Sequence, residues 1–403
     1  MESLGPKDSK VVAHNNDAIG PTFKEKKKMI NRRKFILGCG AGLLLLNSAE
    51  AKTVKLSDDA IRAILRRRVD VEKRATGMAV GIIESGRRRI IVYGKQDSGD
   101  TPPVAANTLF EIGSVTKIFT ALLLADMVHR KELRFDDPVD RYLPSGFSTP
   151  QRNGRAITLA DLATHTSGLP YFPFSVITTP NPLDALAHFT TSDLRSWLAD
   201  LTLTRDPGAQ WEYSNLGYGI LGMALANRAG TTYEALLNSR IIDPLNLTDT
   251  TLHPIGEASQ RLATGHDSRL EPVAPIDLGI FAAAGALRSS AADMLSFLIA
   301  IMPDSRSSLE ASAQLLLSIR RPAPAAGGEQ ALGWDVVTGA APFFAKDGVT
   351  VGQTATIVLD PGKRTGAVVL SNGFPTKLQL PPGGGVGAAD LARYLIRPSL
   401  RIE

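Results

Sequence analysis

The chain has 403 residues, of which 43% are hydrophobic and 21% charged, and this composition excludes a fibrous or largely disordered protein. The N-terminal residues 1–51 hold nine Lys/Arg and five Asp/Glu, so most of the formal net charge of +5 lies there. The remainder of the chain is about neutral. It therefore lacks the basic groove of a nucleic-acid-binding protein, and no nucleic-acid partner is predicted.

The first predicted element is an export signal at the N-terminus. A basic stretch that ends with Arg32 and Arg33 is followed by the apolar run 35–46 and the small-residue site Ala49-Glu50-Ala51. This order is typical of a secretory signal, and the paired arginines resemble a twin-arginine signal. The apolar run is too short to span a bilayer. We therefore predict a periplasmic or secreted protein without a membrane span once the signal is removed.

Two other interpretations of the leader have less support. A buried apolar helix would not need the basic flank or the cleavage site. A lipoprotein would use Cys39, the only cysteine, but the apolar run ahead of it is short. Because the polar stretch before Met29 contributes nothing that a signal needs, Met29 is an alternative start. With Cys39 in the leader, the exported chain has no disulfide and no thiol nucleophile.

Beyond the leader, strand patterns lie near the two ends and helical patterns lie between them. The runs 78–84 and 89–93 are rich in β-branched residues and predict a hairpin. The predicted helices are 114–133, 159–164, 191–201, 216–228, 232–241 and 291–301. Strands return at 354–359 and 365–370 around the turn sequence 360–363, and the last predicted helix is 388–396.

This order of elements predicts a discontinuous layout. The fold class is α/β (α+β), an antiparallel sheet flanked by helices with an inserted all-helical domain. Residues 52–112 and 286–403 form the predicted sheet domain, and residues 113–285 form the helical domain. The cleft between the two domains is the expected site.

The first chemical motif is Ser114-Val115-Thr116-Lys117, the only Ser-x-x-Lys in the chain. A serine hydroxyl is a poor nucleophile until a base takes its proton. Three residues further along a helix, Lys117 projects from the same face and can reach the serine oxygen. Burial would lower the pKa of the lysine enough for it to act as a base. By itself the motif also fits a helix cap beside a solvated lysine.

Two further motifs lie later in the chain. In Tyr213-Ser214-Asn215, Tyr213 can relay the serine proton and Asn215 can hold a substrate amide. In Lys346-Asp347-Gly348, the lysine would add positive charge facing the serine. Gly348 would allow a close backbone approach, with the N–H groups of Ser114 and Val349 as the oxyanion hole. Each motif alone also fits an ordinary loop or turn.

Together the three motifs resemble class C β-lactamases, with the related D-alanyl-D-alanine carboxypeptidases/endopeptidases and esterases. The resemblance covers about residues 57–396 and implies that Lys117 and Tyr213 activate Ser114, that an acyl-enzyme forms, and that water releases it. It extends to segments outside the motifs: Leu109-Phe110-Glu111-Ile112-Gly113, Leu162-Ala163-Thr164-His165-Thr166-Ser167-Gly168-Leu169-Pro170, Trp211-Glu212, Leu216-Gly217-Tyr218-Gly219, Ala284-Gly285 and Leu332-Gly333-Trp334.

One position departs from this family pattern. Members that bind a substrate carboxylate usually have Thr or Ser where this chain has Asp347. An ionised aspartate would repel a carboxylate, or pair with Lys346 and weaken its attraction. This departure disfavours efficient β-lactam hydrolysis more than acyl transfer in general. Segments 75–80 and 156–166 look most like the peptidoglycan-trimming members.

Other patterns in the chain support no cofactor and no metal. The run 217–222 matches Gly-x-Gly-x-x-Gly, but it lies inside a helical pattern and does not follow a hydrophobic strand, so helix packing explains it better than a nucleotide. The six histidines form no metal-binding motif, and His165 is interpreted as a structural hydrogen-bonding residue. The chain contains no Gly-x-Ser-x-Gly, which excludes an α/β-hydrolase elbow.

Three functions follow from these motifs. The first is a periplasmic D-alanyl-D-alanine peptidase or β-lactamase-family enzyme that acts on peptidoglycan peptides or β-lactams. The second is a carboxylesterase on the same fold, which Asp347 makes credible. The third is a non-catalytic binder of muropeptides. Specificity is expected in loops such as residues 170–182, and the sequence predicts no oligomeric state.

The leader generates the first testable prediction. Signal peptidase is expected to cut after Ala51, because this alanine closes the small-residue site. N-terminal sequencing or intact-mass analysis of the exported protein would measure the cut. A mature chain that keeps Arg32 and Arg33 would contradict it.

Overall fold

The two ends of the folded chain build one antiparallel sheet in this computed structural model, which describes residues 56–84, 86–324, 328–339, 342–374 and 388–397. The eight strands of the sheet lie in the order β2-β1-β12-β11-β10-β9-β8-β7. Their bounds are β1 Gly77–Glu84, β2 Arg87–Gly94, β7 Arg320–Ala323, β8 Gly328–Ala331, β9 Asp335–Val337, β10 Phe343–Val349, β11 Thr354–Asp360 and β12 Thr365–Ser371. Four short strands form two separate pairs: β3 Phe110–Glu111 with β6 Arg288–Ser289, and β4 Gly265–His266 with β5 Pro272–Val273.

The central strands of the sheet are buried on both faces. Along β1, Val80 and Ile82 belong to one apolar cluster, whereas Ala79 and Ile83 belong to the other. Successive side chains of a strand point to opposite faces, so this alternation places one cluster on each side of the sheet. β1 pairs with β12, which joins the N-terminal and C-terminal parts of the fold.

The helices flank this sheet and fill the segment between its two halves. The α-helices are α1 Asp58–Arg66, α2 Thr116–His129, α3 Leu159–Ala163, α4 Phe174–Ile177, α5 Pro182–His188, α6 Thr191–Asp200, α7 Asn215–Ala229, α8 Tyr233–Leu237, α9 Glu257–Gln260, α10 Ala291–Ile301, α11 Glu310–Ser318 and α12 Ala388–Ile396. Shorter 3₁₀ turns cover Gly113–Val115, Val139–Tyr142 and Gly279–Ala284, and π turns cover Arg67–Val71 and Asn238–Ile242.

The helix α2 is buried over its first twelve residues, 116–127, and lies at the centre of the larger apolar cluster. A helix that is apolar on all sides has no solvent-facing stripe and must be enclosed by other elements. One of its contacts is the stack of Phe119 on Phe297 of α10, with ring centroids 4.1 Å apart. Whatever α2 carries at its N-terminus is therefore held on a rigid element.

The predicted fold class is confirmed, and most predicted elements are present with shifted ends. The predicted helix 114–133 is shorter than expected, because residues 113–115 form a 3₁₀ turn and α2 ends at His129. The predicted helix 232–241 is a short α-helix followed by a π turn. The hairpin closes between Glu84 and Arg87, although Ser85 of its turn lies outside the described residues.

The predicted leader also lies outside the described residues, as does the glycine-rich stretch 381–387. Residues Thr53–Glu403 form one compact unit by their contacts, and the proposed division into a sheet domain and a helical domain stays a prediction. Among the residues that the structure describes, no helix is both long and apolar enough to cross a membrane.

The fully buried Asn372 generates a prediction about stability. Its Oδ1 accepts from the N–H groups of Thr76 (3.1 Å) and Gly77 (2.8 Å), and its Nδ2 donates to Gln96 O at 3.0 Å. Asn372→Ala would leave these buried groups without partners, and we expect a loss of about 3 kcal/mol in the free energy of unfolding. Urea denaturation would measure it.

The matched control is Asn227→Ala, since Asn227 is exposed and donates one hydrogen bond to Tyr142 O. This variant should lose less than about 1 kcal/mol. Equal losses in the two variants would show that Asn372 does not hold the start of β1 against the end of β12.

Candidate active site

Ser114 lies in the 3₁₀ turn Gly113–Val115, directly ahead of α2. The residues on both sides of it are buried, whereas Ser114 itself is half-buried. Gly113 adopts φ +49°, and an ideal Cβ at this position would lie 2.7 Å from the nitrogen of Val349. Glycine is therefore required where the chain turns into the helix, and the turn leaves the Ser114 side chain partly exposed.

Lys117 comes one turn later and is fully buried. Its Nζ lies 3.1 Å from Ser114 Oγ, 2.6 Å from Asn215 Oδ1 and 2.6 Å from the carbonyl oxygen of Ala284. These three oxygens come from the 3₁₀ turn Gly113–Val115, from α7 and from the end of the 3₁₀ turn Gly279–Ala284. The amine is thus held between three elements with its position fixed.

Burial lowers the pKa of Lys117 well below its usual value, and the nearby charge of Lys346 lowers it further. A neutral amine has two N–H donors and one lone pair. The two N–H groups match Asn215 Oδ1 and Ala284 O, both of which only accept, so the lone pair is left for the Ser114 hydroxyl. The geometry fits a general base beside an unionised serine.

The third member of the cluster is Tyr213, whose hydroxyl donates to Ser114 Oγ at 2.6 Å. Burial raises the pKa of the Tyr213 phenol well above its usual value, although its hydrogen bond to Ser114 opposes the shift. The resting group is therefore a neutral phenol and not a phenolate. It can donate a proton, while Lys117 can accept one.

Aromatic faces surround the amines of the site. Lys117 Nζ lies 4.8 Å from the ring centroid of Tyr213 and 5.4 Å from that of Tyr218. Lys346 Nζ lies 5.1 Å from the Tyr213 ring. Ring faces attract cations, so the ammonium that Lys117 forms on taking a proton would be stabilised in place.

The strand β10 lies against the turn that carries Ser114. An ideal Cβ at Gly348 would lie 1.9 Å from Ile112 O and 3.1 Å from Ser114 N, so no larger residue fits there. This close approach brings the backbone of Gly348 and Val349 beside the N–H of Ser114. The oxyanion hole expected from the N–H groups of Ser114 and Val349 stays a prediction.

The expectation for Asp347 is corrected by its neighbours. Its carboxylate accepts from Thr356 Oγ1 at 2.8 Å and pairs with Arg393 of α12 at 2.7 Å, so it neither pairs with Lys346 nor lies next to it on one face. Adjacent residues of a strand point to opposite faces, which separates the two charges.

The partner of Lys346 is instead Asp335 of β9, at 3.1 Å. Sequence analysis missed Asp335, although it follows directly on the quoted segment Leu332-Gly333-Trp334. Asp335 comes close to Lys346 because β9 pairs with β10, with Ala345 opposite Asp335. The sequence alone does not show this pairing.

Asn215 has a partner that the sequence did not indicate, and its expected contact with a substrate amide stays a prediction. Its Oδ1 contacts Lys117, so the oxygen that was expected to hold a substrate amide is already engaged. Asn215 is the first residue of α7 and nine-tenths buried. Asn215 therefore fixes the position of the Lys117 amine and lines the site.

His165 supports Tyr213 from behind, as the structural interpretation of this histidine predicted. Its Nδ1 accepts from the N–H of Ser214, and its backbone oxygen accepts from Glu212 N–H. The centroid of the His165 imidazole lies 4.4 Å from that of the Tyr213 ring. Burial lowers the pKa of His165 well below its usual value, so the ring is a neutral packing group.

Tyr218 is a second supporting residue, and sequence analysis assigned it no role. It is fully buried, donates to Ala163 O at 2.7 Å and packs against His165 with centroids 5.1 Å apart. The spacing of five residues between Tyr213 and Tyr218 did not predict that they lie close together, because Tyr213 lies ahead of α7 and Tyr218 lies inside it.

The discounted glycine pattern is a packing surface, as predicted. Ideal Cβ atoms at Gly219 and Gly222 would lie 2.7 Å from Phe281 Cδ1 and 2.3 Å from Ala283 Cβ. These glycines let α7 pack closely on the turn Gly279–Ala284, which supplies Ala284 O to Lys117. Within the described residues, no group of three or more His, Cys, Asp or Glu is placed to hold a metal ion.

Comparisons with known proteins identify the family of this chain. The Beta-lactamase family model matches residues 58–382. The D-alanyl-D-alanine-carboxypeptidase/endopeptidase AmpH of Escherichia coli (strain K12) is 34% identical over 189 residues, which cover 47% of this chain and 48% of that protein. A Beta-lactamase of Providencia stuartii is 31% identical over 252 residues, 62% of this chain and 60% of that protein. The chain thus spans about half the length of the curated relatives it matches.

A solved structure extends the similarity over most of the fold. The crystal structure of a Beta-lactamase/D-alanine Carboxypeptidase from Yersinia pestis, complexed with citrate, superposes with a TM-score of 0.65 at 25% sequence identity. The match covers 80% of this chain and 95% of that one. The chain therefore belongs to the beta-lactamase family of serine hydrolases.

The charge state of Lys117 generates a pH prediction. Because its pKa is lowered, the reactivity of Ser114 should be present at neutral pH and lost as the pH falls through that lowered pKa. Lys346 lowers this pKa, so Lys346→Ala should raise it and move the acid limb to higher pH. The rate at which a fluorophosphonate labels Ser114 would be measured from about pH 4 to about pH 9, a range that includes neutral pH.

Lys363→Ala is the matched control, since Lys363 is exposed in the turn between β11 and β12. Its acid limb should coincide with that of the wild type. An acid limb of Lys346→Ala that stays in place, or moves to lower pH, would show that Lys117 is not the titrating base.

Proposed function

We propose that this protein is an exported serine acyl hydrolase in which Ser114 forms an acyl-enzyme. The observation that carries the proposal is the contact of one hydroxyl with two proton-transfer groups of opposite character. Ser114 Oγ lies 3.1 Å from Lys117 Nζ and 2.6 Å from the Tyr213 hydroxyl. Nucleophile and base within hydrogen-bond distance, with the base fixed by further groups, are the signature of covalent catalysis.

The first step is the attack of Ser114 on a carbonyl carbon. The lone pair of Lys117 takes the serine proton as the Oγ–C bond forms, and the carbonyl oxygen becomes an oxyanion. The N–H groups of Ser114 and Val349 stabilise that oxyanion, because β10 and the 3₁₀ turn lie in contact there. The new ammonium rests against the rings of Tyr213 and Tyr218.

The second step expels the leaving group. As the bond from the carbonyl carbon to the leaving atom breaks, the Tyr213 phenol donates its proton to that atom and is reprotonated from the ammonium of Lys117. A water molecule then attacks the acyl-enzyme while Lys117 takes its proton. As the bond to Ser114 Oγ breaks, Tyr213 donates its proton to the serine oxygen and is reprotonated from Lys117, and the carboxylic acid leaves. Lys117 and Tyr213 are therefore proposed as catalytic residues of both half-reactions.

The names of the relatives support a first class of acyl donor. AmpH of Escherichia coli is a D-alanyl-D-alanine-carboxypeptidase/endopeptidase, and other relatives are beta-lactamases. We propose peptidoglycan peptides or β-lactams as substrates on this basis. Lys346 and the edge of β10 would bind the substrate beside Ser114. Export through the twin-arginine-type leader would bring the enzyme to such substrates in the periplasm.

A second candidate, a carboxylesterase, is favoured by one observation. Lys346, the cation expected to attract a substrate carboxylate, is buried and already paired with Asp335. Asp347, in the place of the usual Thr or Ser, faces Arg393 instead. This neutralisation weakens the attraction of Lys346 for the carboxylate of a peptide or β-lactam. It does not affect the binding of a substrate that has no free carboxylate.

The nucleophile prediction uses a substrate panel of a cephalosporin, a D-Ala-D-Ala peptide and a short-chain nitrophenyl ester. Ser114→Ala is expected to lower kcat/KM by roughly 10⁴-fold or more, and Tyr213→Phe by about 10²-fold to 10⁴-fold. A fluorescent penicillin or a fluorophosphonate should label wild type but not Ser114→Ala. Two outcomes would favour a non-catalytic binder. One is folded wild-type protein that takes neither label. The other is a ligand that binds wild type and Ser114→Ala equally well and that the wild type does not turn over.

The two substrate classes generate a prediction about Asp335. Asp335→Asn frees the charge of Lys346, so we expect kcat/KM for a D-Ala-D-Ala peptide to rise about 10-fold relative to that for a neutral ester, a change of about 1.4 kcal/mol. Steady-state kinetics with both substrates would measure the ratio. The conservative variant Asp335→Glu keeps the charge and should keep the wild-type ratio. A ratio that Asp335→Asn leaves unchanged would mean that Lys346 does not attract the substrate carboxylate.

A further inference from the structure

The large hydrophobic side chains that remain exposed are not spread evenly along the described chain. Seven of them are exposed in the described residues, and four lie in the single segment 171–183. The exposed fractions of these four are 46% for Tyr171, 60% for Phe174, 36% for Ile177 and 41% for Leu183. We call these four side chains the apolar rim. Single exposed apolar residues are ordinary, whereas a contiguous group of them marks a binding surface.

The apolar rim begins beside the catalytic cluster. The backbone oxygen of Tyr171 accepts from Asn215 N–H at 2.9 Å, and its ring centroid lies 6.0 Å from that of Tyr213. Ser214 Oγ donates to Pro170 O at 2.6 Å, which ties the start of the segment to the same loop. A fifth exposed side chain, Val349 at 38%, belongs to the residue proposed for the oxyanion hole.

The segment is anchored, so its outward residues keep a fixed position. Phe172 is buried with its ring 5.3 Å from that of Phe281, and Val176 and Leu186 are buried beneath α4 and α5. These helices therefore have apolar residues on their inner face, as packing requires, and also on their outer face. Packing explains only the inner set. The outer set needs a ligand or partner to account for it.

The charge of the surroundings favours an uncharged ligand group. Residues 162–183 include no lysine, arginine, aspartate or glutamate, and Lys346, beside the Tyr213 ring, is paired with Asp335. A charged group on the rim would lose hydration without gaining a partner. An alkyl or aryl group would instead gain from leaving water.

We propose that the apolar rim binds an apolar group of the acyl donor, so that the enzyme prefers substrates with an alkyl or aryl portion of several carbons next to the scissile bond. This inference rests on the proposed acyl transfer by Ser114 and deepens it. It holds for an ester or an amide leaving group, because the rim contacts the apolar portion and takes no part in the bond changes.

The test is a pair of ester series, one with the acyl chain lengthened from acetyl to octanoyl on p-nitrophenol and one with the alcohol lengthened from methyl to octyl on acetate. In wild type we expect kcat/KM to rise about threefold per methylene over the first several carbons in at least one series. In the double variant Phe174→Ser, Leu183→Ser the slope should flatten. The longest ester of that series should then lose about 10-fold or more, while its shortest ester, p-nitrophenyl acetate or methyl acetate, keeps its rate.

The matched control is Val71→Ser. Val71 is 73% exposed, and it lies in the π turn Arg67–Val71, whose Val69 packs in the cluster on the other face of the sheet. This control should keep the wild-type slope. A slope that is flat in wild type in both series, or unchanged in the double variant, would overturn the inference.

Fluorophosphonate labelling separates this failure from a failure of the proposed function. Labelled Ser114 with a flat slope refutes the rim alone, whereas no label and no turnover of any ester refutes the acyl transfer on which it rests. Sedimentation with phosphatidylglycerol vesicles adds a further outcome. Vesicle binding that the double variant loses, with no change of slope, would identify the rim as a membrane contact and overturn its role with substrate.

Discussion

The contact between the buried amine of Lys117 and the hydroxyl of Ser114 is the interaction on which the rest of the site depends. A lysine that is cut off from water is costly as a cation, so burial lowers the pKa of the Lys117 amine, and its N–H donors are matched. The match needs Asn215 Oδ1 and Ala284 O at 2.6 Å each. Burial and hydrogen bonding together turn an ordinary surface residue into a base.

The same contact constrains the packing around it. The helix α2 must be apolar on all sides to exclude water from Lys117, and α7 must approach the Gly279–Ala284 turn closely to present its carbonyl oxygen. Gly219 and Gly222 make that approach possible. On the other side, Gly113 and Gly348 let β10 reach the turn of Ser114. Small residues thus decide where the catalytic groups meet, although none of them takes part in chemistry.

The charges and apolar groups around the cleft give this family member its own character. The pair of Lys346 with Asp335 leaves the cleft about neutral, and the ion pair of Asp347 with Arg393 is directed to the opposite face of the sheet. The apolar rim extends this neutral surface outward from Tyr213. One fold can act on different substrates when the groups for acyl transfer stay the same and the surface beside them changes.

The sequence by itself determined the fold class and the three motifs, because periodicity and local spacing are properties of neighbouring residues. The Ser-x-x-Lys spacing placed Ser114 and Lys117 on one helical face without any tertiary information. Tertiary structure alone decided which distant groups meet them. Asp335 reached Lys346 through strand pairing, and Asn215 met Lys117, since both contacts join residues far apart in the chain. Strand alternation likewise sent Asp347 away from its neighbour, which a one-dimensional motif could not reveal.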